Sequence, residues 1–150
     1  MMKRRDIEEG MVFAVPLRFG ANALALVTRH GRSAVTVGYF FGPALVAVPE
    51  EPPSLQPGKA VLIARFGDIP LVNGEWPLVG RLPDWDRMMW PSSEFYRGDI
   101  RARGFVVLYD DEDPNKVAGE RLSEPGDEDL PSDDLHGYLI VRNRLSSILS

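Results

Sequence analysis

The sequence has 150 residues, 44% hydrophobic and 26% charged, with a net charge of −5 and no cysteine. A chain of that length buries roughly two-thirds of its unfolded surface on folding, so one domain over residues 1–150 with its own core is expected without covalent staples. Lack of cysteine excludes disulfides, thiolate metal sites and cysteine nucleophiles, and an acidic balance argues against nucleic acid as a partner, because phosphate binding depends on collected Lys and Arg contacts.

The N-terminal "MMKRRDIEEG" has no apolar run of the secretory type, and no stretch reaches the roughly 18 apolar residues of a membrane span, so a cytoplasmic location with no membrane partner is expected. Residues 11–20, "MVFAVPLRFG", alternate loosely and read as a strand; Pro16 inside the run predicts an edge position or a bulge. Residues 23–30 follow the turn at Gly20-Ala21-Asn22 and complete a hairpin. Val35, Val37, Tyr39 and Phe41, spaced by two, predict a third strand.

Residues 42–58 hold five of the thirteen prolines and predict an irregular connection, with one short strand at Leu45 to Val48. Residues 59–72 predict a buried strand broken at Gly67-Asp68, and residues 75–82 a short one with Trp76 inside the core. Residues 103–113 predict a further strand. From Asp110 to Asp134 there are eleven carboxylates against Lys116 and Arg121, so a mobile, solvated acidic loop is expected at about 110–134. Val141, Leu145, Ile148 and Leu149 stand at helical spacing and predict a C-terminal amphipathic helix, with Tyr138 to Val141 alternatively opening as a strand. The expected class is mostly β or α+β: a small twisted antiparallel sheet or partly open barrel with a C-terminal helix.

No catalytic motif is present: the sequence contains no Gly-x-Ser-x-Gly elbow, Walker loop or His-Glu-x-x-His. His30 and His136 have no nucleophile near them in sequence and read as surface or capping residues, and two histidines do not furnish a usual zinc site. No catalytic residue, metal or cofactor is expected. Trp76, Trp85, Trp90, Phe95 and Tyr96 interleave with Arg81, Arg87, Arg97, Arg101 and Arg103, the residue types of a single-strand nucleic-acid binder or scaffold module. Asp84, Asp86, Glu94 and Asp99 nearly balance those arginines, which removes the electrostatic funnel.

Protein recognition needs no catalytic constellation. Trp85, Met88, Met89 and Trp90 belong to types enriched at interface centres, and at least one of them is expected to be exposed. Asp110, Asp111, Glu112 and Asp113, with Asp127, Glu128 and Asp129, are the candidate charged contacts. Nothing in the pattern sets an oligomeric state.

Two elements carry a family resemblance. Gly10-Met11-Val12-Phe13-Ala14-Val15-Pro16-Leu17 comes first, and Trp76-Pro77-Leu78-Val79-Gly80 follows with Pro83 after it. Together, with Phe13, Pro16, Trp76, Pro77 and Gly80 as the signature, they resemble the Immunity protein 26 family, small bacterial proteins of polymorphic toxin systems. The resemblance implies a non-enzymatic inhibitor that binds a cognate toxin inside the producing cell, and the carboxylate excess suggests occlusion of a basic toxin cleft.

Overall fold

The first three strands form as the alternation predicts, although both faces of their sheet are buried. The computed structural model describes residues 2–98 and 103–150. β1 (Met11–Pro16), β2 (Asn22–His30) and β3 (Val35–Leu45) make an antiparallel meander in which Val12 faces Leu26 and Leu26 faces Tyr39. β4 (Leu62–Gly67) pairs with β3, β5 (Leu78–Arg81) pairs with β1, and the two-residue β9 (Leu135–His136) adds a parallel edge to β4. The sheet order is β5-β1-β2-β3-β4-β9, and the sheet is open. A second sheet, β6-β7-β8, consists of Phe95–Arg97, Phe105–Asp110 and Asp113–Leu122.

Period-two alternation sorts the large sheet's side chains onto two cores. Phe13, Val15, Ala25, Phe40, Ala64 and Phe66 share one face. Helix α2 (Tyr138–Leu149) covers it with Val141 and Leu145, joined by Leu71 of the short helix α1 (Ile69–Val72) and by Trp76. Val12, Leu24, Leu26, Val37, Tyr39 and Phe41 share the other face, beneath Phe95, Val107 and Tyr109 of the second sheet. Burial on both faces explains why residues 23–27 of β2 are an unbroken apolar run.

Several expectations are corrected. β1 is not an edge strand: β5 and β2 flank it, and Pro16 is tolerated because it is the last residue of β1, beyond the Met11–Phe13 stretch that pairs with β5. No strand forms over Leu45 to Val48; β3 ends at Leu45, and Val46 stands 92% exposed. The chain does break at Gly67-Asp68, but Ile69–Val72 then turns into α1 rather than continuing the strand. The acidic stretch, expected as loop, contains the ten-residue β8, which Val106, Val107 and Leu108 of β7 template despite its charge. The C-terminal segment is helix, with Ile148 exposed instead of buried.

Gly10 and Gly80 show why the signature elements carry glycine. Gly10 has φ +93°, and a Cβ there would lie 2.8 Å from Cγ of Trp85, so only glycine lets the indole sit on the backbone. At Gly80 a Cβ would meet Pro52 Cδ at 3.0 Å, beside the point where the β1–β5 register shifts. Trp76 is 2% exposed and wedged among Phe66 at 5.4 Å, Phe40 at 6.1 Å and Tyr138 at 6.3 Å between ring centroids.

Candidate partner-binding surface

Residues 84–90 turn sharply, and the turn sorts its side chains. Asp86 caps a 3-10 turn at Arg87–Met89, its Oδ1 accepting from the Met88 backbone N–H at 3.0 Å. Met88 and Met89 project outward, 88% and 63% exposed. Trp90 turns inward instead and is 3% exposed, edge-on to Tyr39 at 5.3 Å and Phe41 at 6.0 Å, which corrects its expected place among the surface contacts. Trp85 is half-buried, stacked on Trp90 at 6.3 Å and seated over Gly10. The indoles therefore brace the turn from inside while the methionines face out.

Arg87 joins this turn to the acid-rich tip between β7 and β8. Its Nε donates to Glu9 Oε1 at 2.7 Å, its Nη1 to Asp111 Oδ2 at 2.7 Å, and its Nη2 lies 3.2 Å from Glu112 Oε1. Asp111 also accepts from Nε of Arg29 at 2.8 Å, and the Arg29 side chain is only 4% exposed. The hydrogen bond from Arg29, opposed by partial burial and aided by the charges of Arg29 and Arg87, holds the Asp111 carboxyl below its ordinary range. Asp110 Oδ1 accepts from the backbone N–H groups of Glu112 and Asp113 at 2.9 and 3.2 Å, and Asp113 Oδ1 accepts from Asn115 N–H at 3.0 Å. These aspartates shape the tip; Glu112, 83% exposed, is the carboxylate that projects from it.

Asp127, Glu128 and Asp129 lie elsewhere, in a 3-10 turn past the far end of β8, roughly 30 Å along a ten-residue strand from Asp113. Asp127 accepts from Arg121 Nη1 at 2.8 Å and Nη2 at 3.2 Å, and Glu128 from the Gly126 N–H at 3.1 Å, while Asp129 is exposed. The single acidic surface expected from composition is thus two patches.

The arginine-and-aromatic stretch does not build a stacking platform. Trp76, Trp90 and Phe95 are core residues, and Arg97 is held by Asp133 at 2.8 Å; Asp99 and Arg101 lie outside the described residues. Sequence reasoning missed several buried charged or titratable groups, Arg29 and Asp133 among them. Arg65, 6% exposed, donates to the Pro114 carbonyl at 3.1 Å and the Asp133 carbonyl at 2.9 Å, and covers the Tyr109 ring at 3.7 Å. Asp68, fully buried, accepts from Arg4 Nε at 2.7 Å and His30 Nε2 at 3.0 Å; His30, expected at the surface, has a side chain 8% exposed. His136 is likewise buried, at 9%. Nothing local in the sequence marks these groups as buried, and only the partners that fold alongside them give the burial its compensation.

Among the described residues, no cluster of three or more His, Asp or Glu could hold a metal ion, and no helix is long and apolar enough to cross a membrane. No curated protein and no solved structure matches the chain. The model of the Immunity protein 26 family, however, matches residues 8–104, from the β1 signature through β6, and with most of its length so covered this chain belongs to the Immunity protein 26 family.

Proposed function

We propose that the chain neutralises a cognate bacterial toxin by binding it inside the producing cell, and that the contact surface is the Met88-Met89 turn together with the tip at Asp110, Asp111, Glu112 and Asp113. The supporting observation is that two segments more than twenty residues apart in sequence form one surface, joined through the ion pair of Arg87 with Asp111. Exposed methionines are adaptable anchors, and the adjacent charges form the polar rim that excludes water around such anchors. The reading requires no catalytic step.

The tip also refines how acidic occlusion would work. Asp110, Asp111 and Asp113 are tied down by hydrogen bonds within this chain, whereas Glu112, although its Oε1 lies 3.2 Å from Arg87 Nη2, is 83% exposed and supplies the projecting charge. Steering by so few charges raises the association rate modestly and fades with salt. The second patch at Asp127, Glu128 and Asp129 stands apart from this surface and adds long-range field only.

Co-expression tests the reading. A toxin encoded beside this gene should kill cells unless the protein is present, and the pair Met88→Asp and Glu112→Lys should each weaken rescue without lowering soluble yield. Failure of the unaltered protein to rescue while it accumulates in soluble form overturns the function; rescue by both variants at unaltered strength moves the surface elsewhere. Toxin association that ignores ionic strength removes the electrostatic part and leaves the apolar anchor.

A further inference from the structure

A cavity of about 740 Å³ opens beside the β7–β8 tip, where three segments meet. Arg4 and Arg5 come from the N-terminal 3-10 turn, His30 from the end of β2, Arg32 from the β2–β3 connection, and Glu112 and Asp113 from the tip. Asp68 lies behind them, fully buried, and takes both Arg4 Nε and Nη2, at 2.7 and 3.1 Å, and His30 Nε2 at 3.0 Å. Burial by itself would raise the Asp68 carboxyl, but the hydrogen bonds and charges of Arg4 and His30 hold it below the ordinary range, so it is a fixed anion. One buried carboxylate therefore orients an arginine and a histidine at the rim, as outer-shell carboxylates orient ligands around metal and anion sites.

Among the described residues, two of the three charges at this cavity without an ion-pair partner are positive. Among the described residues Arg5 and Arg32 make no ion pair, and both are exposed. Of the two acids opposite them, Glu112 lies 3.2 Å from Arg87, whereas Asp113 keeps its charge while its Oδ1 accepts from the neutral donors Ser33 Oγ at 3.3 Å and Asn115 N–H at 3.0 Å, so the arginines outnumber the free carboxylate two to one. We propose that the cavity bounded by Arg4, Arg5, His30 and Arg32 binds an oxyanion of the phosphate class. Guanidinium forks match tetrahedral oxyanions two bonds at a time, and a doubly charged phosphate gains from two uncompensated arginines where a single carboxylate gains from one. The site lies in an acidic protein, so a local cationic pocket is what admits an anion that the overall field repels. It does not depend on the toxin reading.

Inorganic phosphate is the probe, with the intact protein followed by amide NMR and by melting temperature against sodium chloride at matched ionic strength. Phosphate should shift the amides of residues 4–7 and 30–33 saturably and raise the melting temperature, and the exposed pair Arg5→Gln with Arg32→Gln should weaken binding at least about tenfold, the loss of one charge-assisted contact or more. Glu112→Gln should tighten it by removing a like charge from the wall. Shifts that match chloride, or that persist in the double arginine variant, overturn the site. A nucleoside monophosphate run in parallel distinguishes the source: tighter binding than inorganic phosphate assigns the pocket to a phosphorylated ligand, and equal binding assigns it to the free anion.

Discussion

Arg29 donates its Nε to Asp111 Oδ1 at 2.8 Å, a nearly buried guanidinium of β2 reaching an aspartate that is itself 53% exposed at the β7–β8 tip. Arg87 meets the other oxygen of the same carboxylate, so one side chain fastens the second sheet's hairpin to both the large sheet and the Met88 turn. Asp111→Asn should therefore cost about 1.5 to 3 kcal/mol in urea unfolding, the range for hydrogen bonds to charged groups, with the lower end favoured because Asp111 is wet. Glu112→Gln, one residue on, should stay within about 0.5 kcal/mol. Equal losses would mean that the tip is not anchored through Asp111.

The tryptophans should separate by role. Trp76→Ala and Trp90→Ala each empty a filled site, 2% and 3% exposed, and should destabilise by about 3 to 5 kcal/mol. Trp85→Ala should cost less, because its ring is already partly in solvent, yet it frees the turn from Gly10 and so should weaken toxin binding through Met88. Met88→Ala should leave the unfolding midpoint within the spread of ordinary surface substitutions while reducing affinity. A Met88 variant that melts far below the parent would place that side chain in the core.

How much of this could be read in advance depended on whether the relevant partner lay nearby in sequence. β1, β2 and β3 announce themselves because each strand's neighbour is the next apolar run, and α2 because Val141 and Leu145 repeat at helical spacing. The placement of Trp76 followed from its size and surroundings. β8 was hidden because its residues carry charge and turn signals, and only pairing with β7 makes them a strand. The same holds for the site: Met88 and Glu112 were visible as residue types, but their adjacency rests on Arg87, and Trp90 was misplaced because composition cannot say which way a turn points its rings. The Arg4–Asp68–His30 cluster spans 64 positions and left no local trace.

Acid should destabilise the fold in a window set by His136. Burial, then the charge of Arg144 whose Nη1 lies 3.5 Å from its Nε2, pushes this imidazole below its ordinary value of 6.5, with Arg65 adding to the effect and Asp134 opposing it. The unfolded chain then takes up a proton near 6.5 that the folded chain resists, so stability is intact above that pH and declines as pH falls toward the folded value. Melting temperatures measured from pH 8 downward should bend below about that point, and His136→Asn should remove the bend. A bend that survives the substitution transfers the effect to another group.

Alkali should act through Tyr109. Burial first, and then the hydrogen bond its hydroxyl donates to Asp133, pushes this phenol from 10.0 up to about 12. In the unfolded chain the same phenol ionises near 10, so its contribution to stability is complete below that pH and is lost as pH rises toward 12. Phenolate absorbance should show one of the four tyrosines ionising last, and Tyr109→Phe should delete that step. Phenylalanine keeps the ring under the Arg65 guanidinium, 3.7 Å away in the parent, so the variant should fold while the Asp133 carboxylate retains the hydrogen bond from Arg97 Nε at 2.8 Å and the charge of Arg65, whose Nη1 is 3.9 Å from it. Its unfolding free energy near neutral pH should drop by about 1 to 3 kcal/mol, the cost of leaving a buried carboxylate one hydrogen bond short. If the late step remains in Tyr109→Phe, the raised phenol belongs to Tyr39, whose hydroxyl donates to the Pro91 carbonyl at 2.9 Å, or to Tyr138, whose hydroxyl donates to Glu75 Oε1 at 3.0 Å.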